Sequence, residues 1–423
     1  MKNHFFVAFS ERSFFLLWLS EIFTILAFNL FNFFLILHVY ALTKSNTAVS
    51  LVVISFTLPA ILFGVLAGVY VDKWNKKQVL FFVNILRGII LILLAIFHGN
   101  LILVYLSAFL VSFVTQFFVP AESPIIPLIV KKDHLYSANA LFGFGLYASI
   151  LLAYLLSGPV ILLFGEVNTL ILLAVLFFIS SFFISGIRLS PKIIYTDKGI
   201  LHIAKTELLA EIRSAVRIMR NSRDIYNSLF LLALSQILLL VLAVIAPGYA
   251  TQILNISIQK FPLFFIAPAA LGVLVGAIIL VTLLHNISKE KLATLGLFMS
   301  GIAMLILPFG SRIAAREIVK DLNMYLPHFF DITPLHLVVV IAFVLGLANA
   351  FVFVPSNTML LEKTSDEFRG KIYGVLNALV GIFSLVPIIL AGGLSDFFGV
   401  DKVIIAIGIL LLGLGFSRVF FDF

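Results

Sequence analysis

Twelve apolar runs, each about twenty residues long, alternate with short polar stretches along this chain. A helix of about twenty apolar residues is long enough to cross the hydrocarbon core of a bilayer. The runs begin near Ser13, Val49, Gln78, Leu101, Ala140 and Thr169 in the first half, and near Tyr226, Pro262, Lys291, Leu335, Lys371 and Lys402 in the second. This pattern predicts an all-α membrane protein of twelve transmembrane helices.

The composition supports the same class and excludes several others. Of the 423 residues, 62% are hydrophobic and 11% are charged, whereas the surface of a soluble domain needs far more charge. The absence of Cys excludes disulfides and thiolate metal sites. The sequence has no ATP-binding loop and no grouped catalytic or metal-ligating residues. We therefore expect no enzyme activity, no cofactor and no metal site.

The basic residues predict how the chain is oriented in the membrane. The net charge of +8 could suggest nucleic acid as a partner, but the Lys and Arg residues lie in short loops between apolar runs. Of these 28 residues, 21 lie in one set of alternate loops and six in the other. Positive charge concentrates on the cytoplasmic side of membrane proteins. We therefore expect a multi-pass protein of the cell (inner or plasma) membrane, with both termini in the cytoplasm and no nucleic-acid partner.

Three short strings of the first half recur in the same order in the second half. The pairs are residues 64–68 with 272–276, 118–120 with 353–355, and Gly158 and Gly165 with Gly392 and Gly399. Each copy lies in the corresponding run of its own half, which chance matching does not explain. A duplication of this kind predicts two pseudo-symmetric six-helix bundles that can rock about a central site.

The longest charged stretch of the chain separates the two halves. It predicts a first bundle over residues 1–190, a cytoplasmic linker over 191–225 and a second bundle over 226–423. Within the linker, apolar residues recur at helical spacing, namely Leu201, Leu208, Ile212, Ala215 and Met219. This spacing favours an amphipathic helix on the membrane surface. A solvated linker is the alternative.

The loop between the second and third runs carries a motif of five residues: Gly68, Asp72, Lys73, Lys76 and Lys77. Here the sequence resembles the major facilitator superfamily, whose signature in this loop is Gly-x-x-x-Asp-(Arg/Lys)-x-x-(Arg/Lys)-(Arg/Lys). The resemblance implies the major facilitator fold and a cytoplasmic gate formed by these residues. Gly68 would let another helix approach closely, and Asp72 would pair with basic groups and a helix N-terminus. A plain positively charged loop is the alternative.

Other stretches resemble the drug- and macrolide-efflux branch of that superfamily, which is similar to siderophore exporters and lysophospholipid flippases. They are residues 40–45, 58–59, 87, 120–121, 124, 127, 137–140, 209–213 and 220–221. The sequence departs from the pattern in two places. The loop over residues 285–291 has lost the acidic residue that corresponds to Asp72, and the fourth run lacks the Arg-rich motif of proton-coupled drug antiporters.

Ionisable residues inside membrane helices are candidates for function because they cost several kcal/mol unless they are paired or hydrated. Glu21 shares a helix face with Thr24, Phe28 and Asn32, and Asn29 is adjacent. We expect this stripe to face the central cavity, where Glu21 would bind a proton or a cationic substrate. A structural role, in which Glu21 only pairs with Arg87 or a polar neighbour, is the alternative.

The remaining polar positions allow further predictions. Arg87, deep in the third run, is expected to tie helices together, and Glu122 is expected to be an interfacial loop carboxylate. Gln236, Asn349 and Asn377 could line the cavity or bond between helices. His38 is expected to be a lone interfacial residue.

These features predict a secondary active transporter that exports amphipathic small molecules, such as drugs or metabolites, by alternating access. Proton coupling is expected, and the partners would be the substrate, the lipid bilayer and protons, with the protein acting as a monomer. A lysophospholipid flippase is one alternative. A non-transporting membrane receptor or enzyme is the other.

Overall fold

A computed structural model of the chain describes residues 4–188, 222–311, 333–364 and 366–421. These residues form helices and connecting turns, without strands. The helices are α1 Arg12–Thr43, α2 Asn46–Lys73, α3 Lys76–Phe97, α4 Leu101–Thr115, α5 Leu135–Ser185, α6 Arg223–Gly248, α7 Ala267–Thr282, α8 Lys289–Ile306, α9 Pro334–Lys363, α10 Asp366–Phe398 and α11 Val400–Phe421. Short helices over Phe118–Glu122 and Ile126–Ile129 follow α4, and a π-helical turn over Pro262–Ile266 precedes α7.

Eleven described segments are long and apolar enough to span a membrane, and α5 holds two spans. Gly165 divides α5 with a φ of 72° and a ψ of 176°, a conformation that glycine adopts at no steric cost. Counting α5 twice confirms the predicted all-α architecture of twelve spans, which begin within a few residues of the predicted starts. The predicted surface helix over residues 191–225 lies almost entirely outside the described residues.

Polar residues at the loop ends explain why several helices begin where they do. The first N–H groups of a helix have no partner within it, and an Asn or Ser side chain at the N-cap can accept from them. Asn75 accepts from Gln78 N at 3.2 Å at the start of α3. Asn100 accepts from Ile102 N at 3.0 Å at the start of α4.

The chain divides into two compact units. One holds Met1–Leu42 and Leu51–Leu209, and the other holds Thr43–Ser50 and Ala210–Phe423. Helix α2 is therefore shared, because its first residues group with the second unit and its remainder with the first.

The first unit is built around a helix pair formed by α3 and α5. A Cβ on Gly88 of α3 would overlap the ring of Phe178 of α5, so the absent side chain lets the two helices approach. Trp18 of α1 packs on Gly145 in the same way and donates its indole N–H to the carbonyl of Leu141 at 2.8 Å. The apolar core of this unit is completed by Phe14, Leu17, Leu80, Phe118 and Ile184.

The second unit contains the tightest helix contact described, between α7 and α9. A Cβ on Gly272 would overlap the carbonyl of Phe343, and one on Gly346 would overlap the carbonyl of Ala269. Gly276, one turn after Gly272, packs against Ala350. Small residues allow this approach because helix association in lipid depends on close van der Waals packing.

The corresponding glycines of the first unit are not packed in this way. A Cβ on Gly64 would have Gln116 as its nearest neighbour at 3.6 Å, and one on Gly68 would meet no atom within 4 Å. The close helix approach expected at Gly68 is therefore not formed among the described residues. The repeat in sequence does not produce the same packing in both units.

We predict that Gly346→Ala lowers the free energy of unfolding by ~1–3 kcal/mol, because the added methyl group forces α7 and α9 apart. Thermal unfolding of the detergent-solubilised protein measures the change. Gly413→Ala in α11 is the matched control, since a Cβ there meets no atom within 4 Å and Ala favours a helix. Equal melting temperatures for the two variants would contradict this account of the α7–α9 contact.

Candidate functional site

Hydroxyl and amide side chains form a buried network inside the first unit. Ser20 Oγ and Thr24 Oγ1 of α1 each lie 2.7 Å from Ser180 Oγ in the second half of α5. Asn84 of α3 donates through Nδ2 to Ser180 Oγ at 2.8 Å and to Thr24 Oγ1 at 3.0 Å. All four side chains are buried. The network therefore connects three helices through polar groups that lipid could not satisfy.

Arg87 is attached to this network and is 1% exposed. Its Nη1 donates to Asn84 Oδ1 at 2.8 Å, and its Nη2 donates to Thr115 Oγ1 of α4 at 2.9 Å. Aromatic rings surround the guanidinium, with centroids 4.8 to 5.7 Å away, and they belong to Phe28, Phe118 and Phe177. Cation–π contacts at these distances stabilise a desolvated guanidinium.

Two carboxylates are buried in the same unit. Glu21 is 0% exposed and Glu122 is 5% exposed. Within the described part of the chain, both carboxylate oxygens of Glu21 and Oε1 of Glu122 are buried and have no hydrogen-bond partner. Glu122 lies close enough to Arg87 to attract it and close enough to Glu21 to repel it.

These positions correct one sequence-based expectation. Glu122 was expected to be an interfacial loop carboxylate, but it ends the short helix Phe118–Glu122 and its side chain is buried. Glu21 was expected to face the central cavity, and in this structure its side chain and that of Thr24 are buried. The role of Glu21 stays a prediction.

The cluster of Glu21, Glu122 and Arg87 has an uneven charge count. Two carboxylates and one guanidinium would carry a net charge of −1 if all three were ionised. A net charge in a low-dielectric interior is costly. One proton, or one cation from outside, would make the cluster neutral, so it is chemically suited to bind either.

The two asparagines of α1, Asn29 and Asn32, are not part of this cluster. Asn29 is half-buried and donates through Nδ2 to the carbonyl of Ile25 at 2.9 Å, within its own helix. Asn32 is also half-buried, and its Oδ1 accepts from no group among the residues described. Of the two asparagines, Asn32 is thus the one with an unused acceptor among the described residues.

The predicted polar positions of the second unit have different surroundings. Asn349 of α9 donates through Nδ2 to Ser235 Oγ of α6 at 2.8 Å, which is the interhelical bond that the sequence left open. Gln236 is half-buried next to Ser235, and Asn377 of α10 is exposed.

The predicted gate motif lies at the junction of α2 and α3. Asp72 is exposed near the end of α2, which finishes at Lys73, and α3 begins at Lys76. Lys77 donates through Nζ to the carbonyls of Ser185 at 2.8 Å and Ile187 at 2.7 Å. A cation at this place satisfies the last carbonyls of α5 and complements the negative end of its dipole.

His38 has partners that sequence reasoning missed. It is 2% exposed, so the expectation of a lone interfacial residue is wrong. Its Nδ1 lies 3.1 Å from Glu166 Oε2 and its Nε2 lies 2.7 Å from the carbonyl oxygen of His98, while its ring stacks on Phe34. No local signal could reveal this group, because Glu166 and His98 are far from His38 in sequence.

Comparison with known proteins identifies the family. The family model described as Major Facilitator Superfamily matches residues 17–386. The chain belongs to the major facilitator superfamily. It is therefore a multi-pass membrane transporter rather than an enzyme, as the gate motif led us to expect.

Relatives and solved structures agree with this membership. Macrolide efflux protein A of Streptococcus pyogenes is 21% identical over 415 residues, covering 95% of this chain and 94% of that protein. An uncharacterised MFS-type transporter of Bacillus subtilis (strain 168), YfiS, is 21% identical over 387 residues, covering 90% and 86%. The structure of a bacterial homologue of the human lysosomal transporter Spinster has a TM-score of 0.71 at 14% identity, covering 100% of this chain and 98% of that one. The nucleoside transporter NupG has a TM-score of 0.65 at 16% identity, covering 96% and 98%.

We predict that Arg87→Met lowers the free energy of unfolding by ~3 kcal/mol or more, because removing one partner leaves buried polar and charged groups uncompensated. Thermal unfolding in detergent measures this loss. Lys76→Met is the control, since it removes a positive charge at the start of α3 rather than in its interior. Equal melting temperatures for Arg87→Met and the control would show that the guanidinium does not stabilise the buried network.

Proposed function

We propose that this transporter exports amphipathic small molecules across the cell membrane by alternating access and that a proton gradient drives the export. The observation that carries the proposal is the buried cluster of Glu21, Glu122 and Arg87. When a carboxylate pair beside one fixed cation gains a proton, its net charge changes from −1 to zero while the groups stay buried in the membrane interior. Such a cluster couples transport to protons when the proton affinity of the carboxylates differs between the substrate-bound and the substrate-free state.

Arg87 supplies the fixed charge of this proposed coupling site. Its two hydrogen bonds go to the neutral groups Asn84 and Thr115, and among the described residues Arg87 has no direct ion pair. Glu122 senses both Arg87 and Glu21. Protonation of either carboxylate therefore alters the charge that the other experiences. In our proposal Glu21 binds the proton or a cationic group of the substrate, and Arg87 and Glu122 set its affinity.

The chemistry of the chain supports an amphipathic substrate. Its 45 Phe residues and its small number of intramembrane charges favour ligands that are mostly apolar and carry few polar groups. The relative named macrolide efflux protein A aligns over nearly the whole chain. Its name supports export of macrolide-like compounds by this chain. We propose Asn32, Gln236 and Asn377 as the polar contacts for such a substrate, since Asn29 and Asn349 are already engaged.

We predict that Glu21→Gln abolishes the dependence of export on an imposed pH gradient, because glutamine cannot exchange a proton. The measurement is transport in proteoliposomes across macrolides, lipophilic cations, a catechol siderophore and lysophospholipids, with and without the gradient. Glu11→Gln is the control, since it removes a carboxyl group of the same unit outside the cluster. Gradient-driven transport by Glu21→Gln at the wild-type rate would remove Glu21 from the coupling site.

The same panel distinguishes the second candidate, a lysophospholipid flippase. Transport of lysophospholipid alone, without any drug-like compound, would favour it over drug or metabolite efflux. Ligand binding without accumulation of any compound would favour a receptor.

We propose that Asp72, Lys73, Lys76 and Lys77 form the cytoplasmic gate together with Gly68. The distribution of basic residues supports a cytoplasmic position for this loop and for both termini. Lys77 supports the assignment because it joins the start of α3 to the end of α5. The carboxylate of Asp72 is exposed in this structure. In our proposal it pairs with another helix only when the cytoplasmic gate is closed.

We predict that Asp72→Asn slows transport about tenfold while the affinity for substrate changes little, because a gate contact affects the change between states rather than the binding site. Initial transport rates and equilibrium binding of the best substrate of the panel give the two quantities. Asp133→Asn is the matched control, an exposed carboxylate of another loop with the same predicted orientation. A parallel loss of rate and affinity would contradict the gate assignment.

A further inference from the structure

Asp396, in the last turn of α10, accepts hydrogen bonds from three consecutive residues at the start of α2. Its Oδ1 accepts from the backbone N–H of Asn46 at 2.8 Å and from Asn46 Nδ2 at 2.9 Å. Its Oδ2 accepts from Ser45 Oγ at 2.6 Å, from the backbone N–H of Thr47 at 2.9 Å and from Thr47 Oγ1 at 2.7 Å. One carboxylate thus engages five donors.

This arrangement is an N-cap supplied by a residue about 350 positions away in sequence. A helix N-terminus has unsatisfied N–H groups and a partial positive charge, and a carboxylate compensates both. Lys44, with a φ of 56°, turns the chain sharply between α1 and α2 and so presents the three donors together. Charge-assisted bonds of this kind are about twice as strong as neutral ones.

Two glycines shape a socket around the capped segment. A Cβ on Gly392, one turn before Asp396, would lie 2.7 Å from the carbonyl oxygen of Asn46 and 3.0 Å from Ser50 Oγ. A Cβ on Gly248 would lie 2.5 Å from Asn46 Oδ1. Asn46 is 0% exposed in this socket and Ser50 is 1% exposed. The start of α2 is therefore held by shape as well as by charge.

The capped segment is also where α2 passes from one compact unit to the other. Residues Thr43–Ser50 group with the second unit, and Leu51–Leu209 group with the first. Residues on both sides of this change belong to one continuous helix. Asp396 holds the first turn of that helix.

We propose that Asp396 is a releasable latch, which holds the start of α2 in its socket in one state of the transport cycle and lets it go in another. With the predicted topology, the latch lies at the outer face and controls the opening of the socket there. The proposal rests on the alternating access proposed above. It assigns a gating role to Asp396 and Asn46, which lie outside the cytoplasmic motif.

Cysteine labelling tests the latch directly, because the chain has no Cys of its own. Ser50→Cys places a single thiol in the closed socket, and a membrane-impermeant maleimide measures how often the socket opens. In this background Asp396→Ala is expected to raise the labelling rate about tenfold, the factor that corresponds to ~1.4 kcal/mol of lost cap. Asp396→Asn is expected to give a smaller rise, since an amide oxygen still caps a helix.

Two further variants complete the experiment. Asn46→Ala removes a donor without changing charge and is expected to raise the labelling rate less than Asp396→Ala does, since four of the five donors remain. Asp401→Asn, at the start of α11, makes the same charge change as Asp396→Asn and is expected to leave the rate unchanged. Lys44→Cys, at an exposed position, normalises for protein amount and orientation.

The outcome decides whether the cap controls the opening of the socket. Labelling of Ser50→Cys that stays at the wild-type rate in Asp396→Asn and Asn46→Ala would overturn the proposal, and these two conservative variants suffice if Asp396→Ala does not fold. Labelling needs no substrate, so a rise in rate supports the latch even when no compound of the transport panel moves. Transport without such a rise would leave the exporter proposal standing and refute the latch.

Discussion

The interior of a bilayer offers no hydrogen-bond partners, and the polar groups of this protein are arranged around that constraint. The hydroxyls of α1 and α5 bond to one another and to Asn84 rather than to solvent. Helix ends obey the same rule, because Lys77 satisfies the last carbonyls of α5 and Asp396 satisfies the first N–H groups of α2. Charged side chains in these places replace the water that would otherwise solvate a helix terminus. These hydrogen bonds therefore specify which helices are neighbours, a choice that apolar packing alone would not make.

Charges at the helix ends and charges in the interior are treated differently. Lys363 lies 2.8 Å from Asp224, and Lys131 lies 3.5 Å from Glu11, so charges near the ends form direct ion pairs. Arg87 instead bonds to neutral groups and lies among aromatic rings, while the carboxylates of Glu21 and Glu122 retain unbonded oxygens. Their incomplete satisfaction is costly for stability. In the function proposed above, it is also what allows the cluster to exchange a proton or a cation.

The two halves of the chain share a sequence repeat but use it for different purposes. Gly272 and Gly276 pack α7 tightly against α9, whereas Gly64 and Gly68 have room around them. A glycine that is tightly packed fixes its helix pair, because any shift loses many contacts at once. A glycine with open surroundings leaves space for a neighbour that comes and goes. This difference agrees with a gate proposed at the Gly68 loop and with the loss of the acidic residue from the equivalent loop of the second half.

The sequence by itself determined the class, the number and the approximate ends of the spans, because hydropathy and span length are local properties. It also singled out Glu21, Arg87 and the gate motif, since an ionisable residue in an apolar run is conspicuous. Only the tertiary structure decided which groups meet, such as Arg87 with Thr115, His38 with Glu166, and Asn46 with Asp396. The physical reason is that a membrane helix is apolar on its lipid face and on its packed face alike. Its sequence therefore carries little information about which face is internal and which helix lies opposite, and packing in three dimensions must supply both.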